Sequence, residues 1–278
     1  MGGKTACVAY LQRKKETGEK IVVVTAYDYP IAQLAENCGV DMLLVGDSLG
    51  NVVLGYQKTI PVTMEDMLHH TRPVVRAARN ALVVTDMPFG SYHVSIDQTI
   101  ANAIILIKDG GADAVKVEGG SEMAPIVAEM TKRGIPVVAH IGLLPQTASL
   151  WEGYKTQGKD ETAARQLVEA AQDLEEAGAF CIVLECITAD VAKLITEKIS
   201  IPTIGIGSGS GCDGQVLVIY DLLGLSTGKI PKFVHQYANL NQIISNAVNQ
   251  YAADVRCGAF PAAENSFPMD EEEAKKLY

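Results

Sequence analysis

DMLLVGD, residues 41–47, is an apolar run that ends on a carboxylate, and the pattern returns three times further along the chain. ALVVTD (81–86), ADAVKVE (112–118) and AFCIVLE (179–185) repeat it, so Asp47, Asp86, Glu118 and Glu185 each stand just after a short run rich in β-branched residues. Such runs are too short to span a membrane and read as fully buried parallel strands. The stretches between them are long enough to hold a helix. Parallel strands alternating with helices form either an open doubly wound sheet or a closed (β/α)8 barrel. In both, ligands bind at the carboxyl ends of the strands. Several acids gathered at that rim repel one another, which raises pKa values or draws in a cation. A hard divalent metal is the economical expectation.

The remaining strands are read outward from these four. Residues 5–16 are expected to form a leading helix, within an N-terminal helical extension over 1–18, followed by IVVVTAYD (21–28) as the first strand and 30–39 as its helix. Thr63 is placed to cap a helix reaching about Arg79, and helices follow at 96–110, 121–133, 160–177 and 188–198. IPVVAHIG (135–142) and IPTIGIGSG (201–209) hold the fifth and seventh strands. KFVHQY (232–237) is assigned as the eighth strand, before a long helix from Asn239 to about Cys257. The even spacing without a break in composition favours one closed TIM barrel over 1–278, with an acidic tail over 268–278. A length of 278 residues suits this, since such barrels take about 250.

A net charge of −10 supplies no basic footprint, which argues against nucleic acid or an anionic membrane as partners and in favour of a small molecule. The six cysteines show no C-x-x-C pair or zinc spacing, and no secretory segment precedes the first strand. They are read as reduced thiols of a cytoplasmic protein. The opening MGGKTA lacks the Ser or Thr that a myristoylation signal carries at position 6.

The sharpest local string is VGDSLGN (45–51), in which Asp47 and Ser48 leave the second strand between glycines that permit close approach of a ligand. The carboxylate suits a metal and the hydroxyl a substrate carboxylate, or Asp47 simply caps a turn. Lys116 and Glu118 are two apart and therefore share one side of their strand. They form a buried salt bridge, or a cation for a substrate carboxylate beside a metal ligand, or a Schiff-base lysine with a neighbouring acid. Glu185 follows FCIVL, where desolvation raises a carboxyl pKa toward the range of a general base. His140 ends the fifth strand as a candidate auxiliary group or a structural one. GIGSGSG (205–211) is read either as a phosphate cradle or as a close-packed loop.

Taken in order, VTAYDYP, VGDSLGN, DMPFGSY, VKVEGG, HIGL-x-PQ, YK-x-QGK, VLE and CDGQVLV resemble the ketopantoate hydroxymethyltransferase family of the phosphoenolpyruvate/pyruvate barrel superfamily. The resemblance runs from about residue 20 to 267. It implies a (β/α)8 barrel that uses Mg2+ and 5,10-methylenetetrahydrofolate on a 2-oxo acid and assembles as a homo-oligomer, usually a decamer. By motif it makes Asp47, Asp86 and Glu118 metal ligands, Asp47, Ser48, Asp86 and Lys116 substrate contacts, and Glu185 the catalytic base. A related lyase or mutase would share the acidic rim, but the lysine-lysine-cysteine-glycine-histidine string of the lyases is absent.

Overall fold

The computed structural model describes residues 6–148, 155–226, 228 and 230–278. Eight parallel strands close into a barrel in sequence order: β1 (Ile21–Thr25), β2 (Met42–Val45), β3 (Leu82–Asp86), β4 (Ala114–Glu118), β5 (Val137–Gly142), β6 (Cys181–Glu185), β7 (Thr203–Ile206) and β8 (Gly214–Leu217). Closure comes from β8 pairing with β1, from Ile21 opposite Gly214 to Val24 opposite Leu217. The longer helices are α1 (Val8–Thr17), α2 (Tyr29–Asn37), α3 (Met64–Ala77), α4 (Ile96–Ile104), α5 (Ala124–Thr131), α6 (Glu161–Glu176), α7 (Ala189–Lys198) and α8 (Leu240–Cys257). The expected α/β class and (β/α)8 barrel architecture are those of the structure.

Side-chain alternation divides the core. Val23, Leu44, Val84, Ala114, Val138, Val183 and Ile204 pack together inside the barrel, while Val24, Leu43, Val83, Val115, Val137, Ile182 and Leu184 join the cluster beneath the helices. Because strand side chains alternate with period two, Asp86, Lys116, Glu118, His140 and Glu185 continue the inner rows. Each stands two or four residues beyond an inner apolar residue, so the polar site is stacked on a dry floor. At the opposite end α1 closes the barrel, with Leu11 buried against the inner cluster. Its Lys14 and Lys15 pair with Asp41 at 2.7 Å and Asp213 at 2.8 Å, ahead of β2 and β8.

The helix starts follow their capping residues. Thr63 and Asp66 form a reciprocal capping box on α3, while Asp28, Ser95 and Asp160 cap α2, α4 and α6 through their side chains. The helix expected to run through Gly110 changes to π-helix over Ile105–Asp109.

One strand is corrected. KFVHQY (232–237) contains no strand, and β8 is Gly214–Leu217 within CDGQVLV. The alternation of strand and helix breaks at this point, since only residues 207–213 join β7 to β8. At about 3.3 Å per residue, that loop spans more than the roughly 13 Å length of a four-residue strand, so no helix is required for the return. The start of MGGKTA and the Tyr of YK-x-QGK lie outside the described residues.

Candidate active site

The carboxyl ends of β2 to β6 place Asp47, Ser48, Asp86, Lys116, Glu118, His140 and Glu185 at one mouth of the barrel. Asp86 and Lys116 are register partners on β3 and β4, and Glu118 is the partner of His140 on β4 and β5. Lys116 Nζ lies 3.2 Å from Asp86 Oδ1, 3.6 Å from Glu118 Oε1 and 3.1 Å from His140 Nδ1. Asp47 takes part through its backbone, whose N–H donates to Asp86 Oδ2 at 3.0 Å. Gly46 leaves room for the Ser48 hydroxyl, since a Cβ there would stand 2.9 Å from Ser48 Oγ. Ser48 Oγ is 2.8 Å from the buried Tyr27 hydroxyl.

Burial sets the electrostatics. Asp47 is pushed well above the usual carboxylate range by desolvation and then by Asp86 and Glu118, with Lys116 and Gln146 opposing. Glu118 rises to about 7, chiefly through burial, against the pull of Lys116. Burial works against the Lys116 ammonium, but Asp86, Glu118 and Asp47 outweigh it and hold the amine protonated above its ordinary value. One lysine thus faces four acids, an excess of negative charge that favours protons or a cation. Asp86 Oδ1 is buried and lacks a hydrogen-bond partner, the 3.2 Å approach of Lys116 being out of line.

Glu185 differs from the other acids. Burial pushes its carboxyl up to about 8, yet 14% of its side chain remains accessible, against 3–4% for Glu118, Asp86 and Lys116. Its Oε2 is 3.3 Å from His140 Nε2. Lysine can only donate, so His140 Nδ1 accepts from Lys116 and the ring hydrogen is assigned to Nε2. Burial and Lys116 keep that imidazole neutral by holding its pKa well below the usual value.

The ketopantoate hydroxymethyltransferase family model matches residues 5–263. The chain belongs to the ketopantoate hydroxymethyltransferase family. It is 52% identical over 271 residues to the 3-methyl-2-oxobutanoate hydroxymethyltransferase of Syntrophomonas wolfei subsp. wolfei, covering 98% of each chain. The enzyme of the same name from Heliobacterium modesticaldum is 55% identical over 264 residues, covering 95% of each. Membership of this family makes the chain an enzyme of the hydroxymethyltransferase class. Solved structures share its fold at low identity. A phosphonopyruvate hydrolase in complex with oxalate and Mg2+ has a TM-score of 0.60 at 15% identity, covering 97% of this chain and 94% of that one. A 2,3-dimethylmalate lyase has a TM-score of 0.57 at 15% identity, with 97% of both covered.

Within this family member, the structure adds residues that sequence reasoning did not single out. Gln146, in the one-turn helix Pro145–Ala148, is 1% exposed and contacts both Asp47 and Glu118. Tyr92 and Tyr27 stand behind Gln146 and Ser48. All three lie within strings that carry the family resemblance, but a neutral residue in a loop gives no charge or spacing signal. The glycines of GIGSGSG are explained by packing. A Cβ at Gly209 or Gly211 would press on Ala189 or Lys193 of α7, and buried Ser208 donates to the Leu184 carbonyl at 2.8 Å.

Proposed function

We propose that this enzyme transfers a hydroxymethyl group from 5,10-methylenetetrahydrofolate to 3-methyl-2-oxobutanoate, giving 2-dehydropantoate, a step of pantothenate biosynthesis. The observation that carries the reading is the division of the rim. Three acids and a lysine are gathered in the buried interior, while the fourth acid, Glu185, keeps access to the mouth. The names of relatives more than half identical in sequence support the same reaction.

The donor set fits Mg2+. Carboxylate oxygens are hard ligands, Asp86 Oδ1 is a buried acceptor that has the Lys116 ammonium beside it but no hydrogen bond, and the local charge is short of cations. Among the described residues, no group of three or more His, Cys, Asp or Glu side chains is placed to hold a metal ion by itself. That agrees with the habit of Mg2+, which takes few protein carboxylates and fills its shell with water and substrate oxygens. Asp47, Asp86 and Glu118 are the residues that hold it in this reading. When bound, Mg2+ supplies Lewis-acid stabilisation of the charge that develops on the 2-oxo acid.

The chain's own groups do the rest. Lys116, held protonated, balances the substrate carboxylate, and Ser48 Oγ offers a hydrogen bond beside it. Glu185 receives the C3 proton, for which its raised pKa is suited. His140, neutral, stands with Nε2 3.3 Å from that carboxylate but makes no hydrogen bond to it in the free chain, so it packs beside the base as an auxiliary group. As C3 bonds to the folate methylene carbon the methylene–N10 bond breaks, and as a water oxygen bonds to the same carbon the methylene–N5 bond breaks; the proton taken from C3 and one proton of the water go to the two folate nitrogens, and tetrahydrofolate leaves.

The exposed apolar side chains of α8 support a homo-oligomer, the decamer being the form implied by the family. None of its eighteen residues is buried in the single chain, and Ile243, Ile244, Val248, Tyr251 and Val255 are exposed along it. Mass measurement in solution tests this. Six free cysteines agree with a reducing, cytoplasmic setting, and no described helix is long and apolar enough to cross a membrane. The deciding assay for function supplies ketoisovalerate, methylenetetrahydrofolate and Mg2+, with and without a chelator. Product formation abolished by chelator is expected, and inactivity with every component present sinks the reading.

A further inference from the structure

Every polar atom of the Gln146 side chain has a partner in the site wall. Nε2 donates to Asp47 Oδ2 at 2.9 Å and to the Met87 carbonyl at 3.0 Å, and Oε1 accepts from the Tyr92 hydroxyl at 2.6 Å. The Gln146 backbone N–H donates to Glu118 Oε2 at 3.2 Å. Tyr92 oxygen in turn accepts from the Glu118 N–H at 3.3 Å. The amide has one possible orientation, because the Met87 carbonyl only accepts and so requires a nitrogen opposite it. That carbonyl is itself fixed, since the Met87 N–H donates to the Lys116 carbonyl and extends the β3 to β4 ladder.

A donor is thus locked against one oxygen of Asp47, while the same residue's main chain fixes one oxygen of Glu118. The choice of a neutral donor is meaningful here. A carboxylate at this place would add to the repulsion among the acids, and a cation would compete with a metal for them. An amide orients the carboxylates and leaves their charge intact.

We propose that Gln146, its amide set by Tyr92 and the Met87 carbonyl, is the positioning residue that presents Asp47 and Glu118 to a divalent cation. The inference rests on the reading of this rim as an Mg2+ site. Residues that orient metal-binding carboxylates typically account for 10–100-fold in metal affinity when replaced.

The test uses the full chain with two replacements, Gln146→Met, which keeps the bulk of the side chain, and Tyr92→Phe, which keeps the ring and removes only the hydroxyl. Mg2+ binding is measured by calorimetry without substrate, and kcat and KM are measured across an Mg2+ series. Gln146→Met is expected to weaken Mg2+ binding by about 10–100-fold and to regain turnover as Mg2+ is raised. Tyr92→Phe is expected to act in the same direction by less. The double variant should be no weaker than Gln146→Met, since both act through one chain of hydrogen bonds. A purely structural role would lower the thermal midpoint without a turnover loss that added Mg2+ reverses, and that result overturns the inference. If Gln146→Met does not fold, Tyr92→Phe decides: weakened Mg2+ binding supports the role and unchanged binding overturns it. Wild-type chain that binds no Mg2+ removes the site reading and this inference together, whereas wild-type binding matched by both variants removes the inference alone.

Discussion

Asp86 and Lys116 face each other across one rung of the β3 to β4 ladder, and their side chains meet inside the barrel at 3.2 Å. The register of two parallel strands therefore places a cation beside the acid whose Oδ1 lacks a hydrogen bond. The ion pair is more than 95% removed from solvent on both sides, so neither partner is replaceable at low cost.

Lys116→Met should lower stability by about 3–5 kcal/mol, the typical cost of leaving one member of a buried pair without its partner. Ketoacid binding should fail in the folded fraction. Urea unfolding and calorimetry read these two effects separately. In the wild type, borohydride added with substrate should leave the chain unlabelled, because a protonated Lys116 paired with Asp86 is no nucleophile. A covalent adduct by mass spectrometry would show the Schiff-base alternative instead.

Glu185→Gln should keep the fold and the binding of Mg2+ and ketoisovalerate while reducing turnover by about 10²–10⁴, the usual contribution of general-base catalysis. Solvent exchange of the ketoacid C3 proton, followed by NMR without folate, should stop. Exchange at the wild-type rate would exclude Glu185 as the base.

The pH dependence follows from the same residue. A base must be deprotonated to act, so kcat/KM of the wild type should rise with pH through about 8, a limb that Glu185→Gln lacks. The stability effect has the opposite sign. The fold disfavours the charged carboxylate, so native protein binds more protons than unfolded chain between about 4.5 and about 8 and loses stability as pH rises through that window. Unfolding free energies of wild type and Glu185→Gln should diverge across the window, and parallel curves would refute the assignment.

Asp86→Ala and Asp47→Ala should each weaken Mg2+ binding by more than the roughly 10–100-fold typical of a supporting residue. Asp86→Ala also leaves Lys116 underpaired, so its stability loss should be the greater of the two. Calorimetric titration with Mg2+ and thermal melts distinguish binding from folding. Metal affinity unchanged in both variants would place the cation elsewhere.

Gly142→Ala tests the seating of the base without touching its charge. Gly142 has φ +99° and is the register partner of Glu185, and a Cβ there would collide with the Glu185 carbonyl oxygen. The replacement should cost more than about 1 kcal/mol from the backbone alone and lower kcat as Glu185 shifts. A variant with full activity and an unchanged melting temperature would contradict this.

Most of the site was legible because charge is conspicuous in an apolar strand. Asp86, Lys116, Glu118, His140 and Glu185 follow runs whose period fixes the face on which they fall, and alternation alone carries them inward. Gln146 and Tyr92 had no such signal. Their roles depend on a loop after β5 folding back over the ends of β2 and β4, a long-range contact with no local periodicity to announce it. β8 is illegible locally for a related reason: four residues following a glycine-rich loop are a weak pattern, and only pairing with both β7 and β1 defines them as a strand.

By itself, the amino-acid sequence determined the strand runs, the alternation that turns Asp86, Glu118 and Glu185 to one side, and the motif order of the family. These are local properties, set by side-chain type and spacing along the chain. The tertiary structure decided the closure of the barrel through the Gly214–Leu217 strand, the pairing of Lys116 with Asp86, the separation of Glu185 toward the mouth, and the amide of Gln146 that joins two acids. Each of these depends on distances between segments far apart in the chain and on the water excluded when they meet. Burial gives the four carboxylates different environments, and that difference is absent from any single strand.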